Sequence, residues 1–132
     1  MLEIDDIYVT RVQVDDPEGI IGHLGEDLQV VAAECWRPVA FSAVLARRAF
    51  KRGTNHARTL SGEFLLRLAG TLQIKEAIEN VGVKPGPNYA VAFGEKGLEK
   101  LNRLGLKELE PIDCDDDTAK RFFEKAALVE VL

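Results

Sequence analysis

Histidine, cysteine, serine and carboxylate side chains are the usual carriers of chemistry, and this chain arranges few of them to do any. Its two histidines, His23 and His56, stand in no metal or triad motif. Ser42 and Ser61 lack the G-x-S-x-G elbow that exposes a nucleophile. Gly19, Gly22 and Gly25 recur at every third residue, but no Lys-Ser/Thr pair follows, so they read as a Gly-rich short helix or loop and not as a phosphate loop. Cys35 and Cys114 are far apart, without the short-spaced partners that zinc needs, and are expected as reduced thiols in or near the core. The acidic run Asp113–Asp117 lacks the alternating ligand spacing of a calcium loop. It reads as a capped helix start, with negative charge at the positive end of the helix dipole. No metal, no cofactor and no small-molecule substrate is expected.

The pattern that does stand out is electrostatic. Seven of the 17 Lys and Arg residues fall between Arg47 and Lys75: Arg47, Arg48, Lys51, Arg52, Arg58, Arg67 and Lys75. Only one of the 22 Asp and Glu residues falls there, Glu63, which is expected to pair within its helix. The whole chain carries a formal charge of −5 and a pI near 5.1. That balance argues against wrapping bulk DNA, because that affinity rests mostly on many phosphate contacts. A small, local phosphate site is not excluded.

The elements that must position this district follow from periodicity and punctuation. Ile4 to Val14 alternates with a period of two and reads as a strand. Leu28 to Cys35 is a short apolar run, expected as a strand covered on both faces. A helix is predicted from Pro38 to Arg52, with Val39, Ala43, Ala46 and Phe50 inward and Gly53 as its stop. A second follows from His56 to Leu68 with Asn55 as cap and Leu60, Phe64, Leu65 and Leu68 inward; Gly70 ends it. Thr71 is expected to cap a third, whose inward stripe is Ile74, Ala77, Ile78 and Val81. Two helix starts, at Asn55 and Thr71, would then open unpaired N–H groups on the basic district. Tyr89 to Phe93 reads as a strand whose small Ala90 and Ala92 face a closely packed helix from Glu95 to Leu104. Leu106 to Ile112 is expected as an edge strand because of Pro111. The last helix buries Ala119, Phe122, Phe123 and Ala126, and an apolar tail ends the chain.

At 132 residues, with 46% apolar and 30% charged residues, the chain is expected to form one soluble domain, residues 1–132. No apolar run approaches the ~20 residues of a membrane span. The N-terminus is acidic where a secretory leader is basic, so a cytoplasmic protein without membrane contact is expected.

The run Asn55-His56-Ala57-Arg58, followed by Glu63, Leu65, Leu66, Leu68, Ala69, Gly70, Thr71, Gln73, Ile74, Ala77 and Gly82, resembles the TPRKB/Cgi-type accessory subunit of the KEOPS complex, in a compact, archaeal-like form. The resemblance implies a single small α/β (α+β) domain, with a short, mainly antiparallel sheet packed with several helices. It implies a non-catalytic regulatory subunit in the machinery that makes threonylcarbamoyladenosine on transfer RNA. Its implied partners are the complex's small atypical kinase/ATPase and tRNA, held at the single-stranded 3′ CCA end. Carried over residue by residue, the implied RNA contacts are Asn55, Arg58, Gly70, Gln73 and Ile74. Arg47, Arg48, Lys51 and Arg52 would add phosphate attraction, which suits a single strand held by stacking and local contacts. The kinase contact carries no transferable motif; it is expected at the tail, on Leu128, Val129, Val131 and Leu132.

Two other readings compete. One is a pure protein-interaction regulator of the kinase, with the basic district a solvated helix end. The other is a small enzyme using Glu63 or His56 beside the arginines, which would require a deep pocket around those side chains.

Overall fold

Strand β2 (Ile7–Val14) is the axis on which the sheet is built. The computed structural model describes residues 1–129. β2 pairs along its whole length with β4 (Gly86–Phe93), from Ile7 opposite Phe93 to Val14 opposite Gly86. Its other edge is shared by two short strands: β1 (Leu2–Ile4) covers Ile7–Val9, and β5 (Lys107–Leu109) covers Arg11–Gln13. β3 (Leu28–Val31) flanks β4, and every pairing is antiparallel. The expected mixed α/β class with an antiparallel sheet is therefore observed. The single strand predicted from Ile4 to Val14 is instead a hairpin. Asp5 and Asp6 turn the chain with positive φ (49° and 64°), a region that short acidic side chains tolerate better than most.

Alternation along β2 and β4 splits the core into two layers. On one face Ile7, Val9, Tyr89, Val91 and Phe93 meet helices α2 (Trp36–Arg52), α3 (Leu60–Ala69) and α4 (Ile74–Val81). On the other, Val12, Val14, Ala90 and Ala92 meet α5 (Gly94–Leu104) through Leu98 and Leu101, and α1 (Pro17–Ile21) through Ile20. The close packing expected at Ala90 and Ala92 is real. A Cβ at Gly97 would lie 2.2 Å from the Asp27 carbonyl and 3.3 Å from the Ala92 Cα, so only glycine lets α5 approach. Helix α6 (Asp116–Leu128) lies across α2 and α3, with the Phe41 and Phe123 rings 4.7 Å apart. Asp115 caps it, accepting the Thr118 N–H at 2.7 Å, and that bond holds its carboxyl below the usual aspartate range.

The stripe predicted for α4 is mostly not buried. Ala77 is inside, but Ile74 and Ile78 are exposed, because α4 touches the body along a narrow line. The helix starts also differ: α3 begins after Thr59 and α4 after Gln73. Asn55 and Thr71 shape turns ahead of them, Asn55 donating to the Ala57 carbonyl and Thr71 accepting from the Gln73 N–H.

The cysteines correct the expectation of free thiols: Cys35 and Cys114 form a disulfide across 79 residues, with Cα atoms 5.3 Å apart. Distance along the sequence hid this because the segment after β5 folds back over the start of α2. There the Trp36 N–H donates to the Ile112 carbonyl (2.9 Å) and Arg37 pairs with Asp113 (2.7 Å). The Tyr89 hydroxyl accepts from the Ile112 N–H (2.9 Å) and fixes the same turn. Replacing both cysteines by serine is expected to cost about 2–4 kcal/mol of stability. Denaturation of wild type with and without a dithiol reductant checks this; an unchanged midpoint would remove the disulfide from the account.

Candidate nucleic-acid interface

The basic district is assembled around one acid. Glu63 is fully buried on α3, and both of its oxygens are occupied. Oε2 accepts from Arg67 Nε (2.9 Å), one helical turn on, and Arg67 is itself fully buried. Oε1 accepts the backbone N–H groups of His56 (2.6 Å) and Ala57 (2.8 Å). A carboxylate in the core thus holds the turn that precedes its own helix. Helical pairing of Glu63 was expected; its grip on the turn was not. Only the four-residue spacing to Arg67 is visible in the sequence. Fully buried and engaged through both oxygens, Glu63 offers no exposed carboxylate to a substrate.

The turn is pinned at its other side by His56, whose Nε2 lies 3.1 Å from the Val129 carbonyl and must carry the proton to donate there. Between these anchors the backbone presents Asn55 and Arg58 to solvent. The chain then enters α3 with Thr59 Oγ1 accepting the Gly62 N–H (3.0 Å). The start of α4 lies alongside: Ile74 Cδ1 comes within 3.8 Å of the position a Cβ on Gly62 would take. Ile74 is 42% exposed and Gln73 is exposed beside it, at an α4 N-terminus with no side-chain cap. Gly70 serves a different purpose. It takes φ +70° to end α3, and a Cβ there would stand 3.1 Å from Lys125 Cβ, so it seats α6 against the corner. Asn55, Arg58, Gln73 and Ile74 are therefore brought to the two adjacent helix starts, and Gly70 shapes the corner from behind.

The seven cations do not act alike. Arg67 is in the core. Arg47 is half-buried, donating to the Asp5 carbonyl (3.4 Å) with its guanidinium 5.9 Å from the Phe93 ring centroid. Arg48, Lys51, Arg52, Arg58 and Lys75 are exposed, and among the described residues no carboxylate lies within ion-pair distance of them. Arg47 turns toward the β1–β2 hairpin. Arg48 instead flanks a groove lined by Ile4, Trp36, Phe41, Val44, Leu45 and Phe123. At the tail, Leu128 is exposed and the Val129 side chain is buried; Val131 and Leu132 lie outside the described residues.

No family model matches the chain. It is 43% identical to the KEOPS complex subunit Cgi121 of Pyrococcus abyssi (strain GE5 / Orsay) over 132 residues, covering 96% of this chain and 77% of that protein. The chain belongs to the Cgi121 family of KEOPS complex subunits. Among the described residues of this Cgi121-family chain, no helix is long and apolar enough to cross a membrane, and no cluster of metal-ligating side chains forms. The expected resemblance to a KEOPS subunit is thus shown by an alignment nearly as long as the chain.

In this Cgi121-family fold the Glu63 carboxylate is expected to carry the geometry of the turn. Glu63→Gln removes the charge facing Arg67 and is predicted to cost about 3–5 kcal/mol, the scale for breaking a buried pair. Denaturation measures the loss, and amide exchange at His56 and Ala57 reports whether the turn loosens with it. Unchanged exchange at both amides would contradict this role.

Proposed function

We propose that this chain is a non-catalytic KEOPS subunit that recruits tRNA by its single-stranded 3′ CCA end and docks the complex's small atypical kinase/ATPase. In this reading it works in the cytoplasm and supports threonylcarbamoyladenosine modification. The observation that carries it is the pairing of two adjacent helix starts with cations that have no ion-pair partner among the described residues. Asn55 and Arg58 stand on the Glu63-anchored turn, and Gln73 and Ile74 stand beside it. Exposed Ile74 offers an apolar face to a base, Gln73 an amide to a base edge, and the uncapped N–H groups of α4 a partial positive charge to a phosphate. Arg58, Lys51 and Arg52 add attraction that fades with salt. Arg47 contributes less, since the hairpin carbonyl and Phe93 already hold it.

For the kinase, the groove between α2, β1 and α6 is a better docking surface than the tail alone. Its aromatic and aliphatic lining, with Arg37 and Arg48 at the rim, has the apolar centre and charged margin of a protein interface. Exposed Leu128 at the end of α6 remains part of the proposed contact, with buried Val129 just beyond it. The reading as a protein-interaction regulator alone draws on this same groove, and salt separates the two.

Lys51→Glu with Arg58→Glu is expected to weaken retention of full-length tRNA at least about tenfold. It should also lower the slope of log affinity against log salt by about 1.4, two single-strand phosphate contacts. Transfer RNA lacking CCA should bind wild type as weakly. Equal retention of both RNAs would overturn the acceptor-end reading. Leu45→Glu is expected to abolish co-purification with the kinase while leaving tRNA retention within about twofold; retained co-purification would move the kinase contact elsewhere.

A further inference from the structure

A cleft of about 550 Å³ opens behind the corner, between α6, the C-terminal ends of α3 and α4, and the segment leaving β3. That volume lies inside the roughly 300–1,000 Å³ of small-molecule sites. Its walls differ in chemistry. Thr118, Arg121, Phe122 and Lys125 recur at three- and four-residue spacing and line one side from a single face of α6. Arg121 and Lys125 are exposed, with no carboxylate of the described residues within ion-pair distance. The floor is made of small side chains, Ala32, Ala33 and Ala69, and is fixed by the Ala32 N–H donating to the Val81 carbonyl at 3.0 Å. Glu34 and Asn80 stand in the remaining wall, near the negative ends of the α3 and α4 dipoles. Lys125 also packs behind Gly70, so the cleft adjoins the corner without including Gln73 or Ile74.

Each wall asks for a different group. Two cations with no ion-pair partner among the described residues suit an anion, alanines beside the Phe122 ring suit a planar base, and the carboxylate and amide suit an N–H donor. Inorganic phosphate uses only the first wall, and a hydrocarbon acid uses the first two but gives the exposed Glu34 and Asn80 no donor. A nucleotide supplies all three.

We propose that this cleft binds a nucleoside 5′-monophosphate whose base bears an exocyclic amine. The phosphate lies against Arg121 and Lys125, the base on the alanine floor, and its amine toward Glu34 and Asn80. A free nucleotide and the last nucleotide of an RNA strand present the same chemistry; only the second source rests on the RNA reading above.

The full chain is titrated with adenosine monophosphate, adenosine and inorganic phosphate while backbone and side-chain amide resonances are followed. Saturable shifts centred on Ala33, Asn80 and Thr118 are expected for the monophosphate, with the other two ligands at least about tenfold weaker. Arg121→Glu should remove the response, and so should Ala33→Leu, which fills the floor without changing charge; the spectrum of each variant shows directly that it is folded. Competition identifies the source. Adenosine monophosphate that displaces tRNA from wild type places an RNA terminus in the cleft, and binding without displacement assigns it to a free nucleotide. The absence of saturable shifts in the millimolar range overturns the proposal, even if tRNA is still retained. Shifts in a protein that retains no tRNA uphold the cleft and overturn the RNA reading alone.

Discussion

A carboxylate and a guanidinium buried side by side on one helix are the constraint to which the rest of this molecule answers. α3 is enclosed on nearly every side, by the sheet, by α2, by α4 and by α6, so Glu63 and Arg67 have no water to solvate them. Charge in such a place persists only when it is paired and its remaining lone pairs are satisfied. Arg67 and two backbone N–H groups meet that demand for Glu63. The same bonds that make the acid tolerable in the core fix the path of residues 56–57 outside it. Stability and the shape of the exposed turn are thus one arrangement, and neither can change alone.

This explains why the positive district is a set of distinct parts and not a uniform field. One cation stabilises the core, one ties α2 to the β1–β2 hairpin, and the others face solvent. With a net charge of −5 the protein has little long-range pull on nucleic acid. Recognition on the proposed lines would depend on contact geometry at the corner, where helix starts, an isoleucine and a glutamine come together. The apolar groove and the cleft lie on either side of α6, so that helix borders both proposed binding regions and, through the Val129 carbonyl, steadies the turn as well.

The sequence was most readable where one physical signal acted alone. Period-two alternation located β2 and β4, and Ala90 and Ala92 announced the close approach of α5. Gly53 marked a left-handed helix end and Gly70 a helix stop, and the structure bears both out. It was least readable where a competing signal masked the true one. The alternation of Ile4 to Val14 ran through Asp5 and Asp6 and hid a hairpin. Asn55 and Thr71 had the chemistry of helix caps but shape turns, because Thr59 captures the Gly62 N–H and the turn at Asn55 is already held from the core. Non-local facts left no trace at all: nothing in the chain says that Cys35 and Cys114 meet, that His56 reaches Val129, or that α4 leaves its isoleucines exposed. Of the candidate site, the residue types were legible and their neighbours were not.

The bond between Cys35 and Cys114 also alters what kind of object the backbone is. Residues 35 to 114 become a closed covalent ring that contains α2, α3, α4, β4, α5 and β5, and the N-terminal strands and α6 leave it as two tails from a single knot. A protease that cuts an exposed connection inside the ring, such as the one joining α2 to α3, opens a circle and releases nothing. The basic corner then stays leashed to the sheet, and only a cut joined to the loss of the sulfur–sulfur bond would let the two halves part.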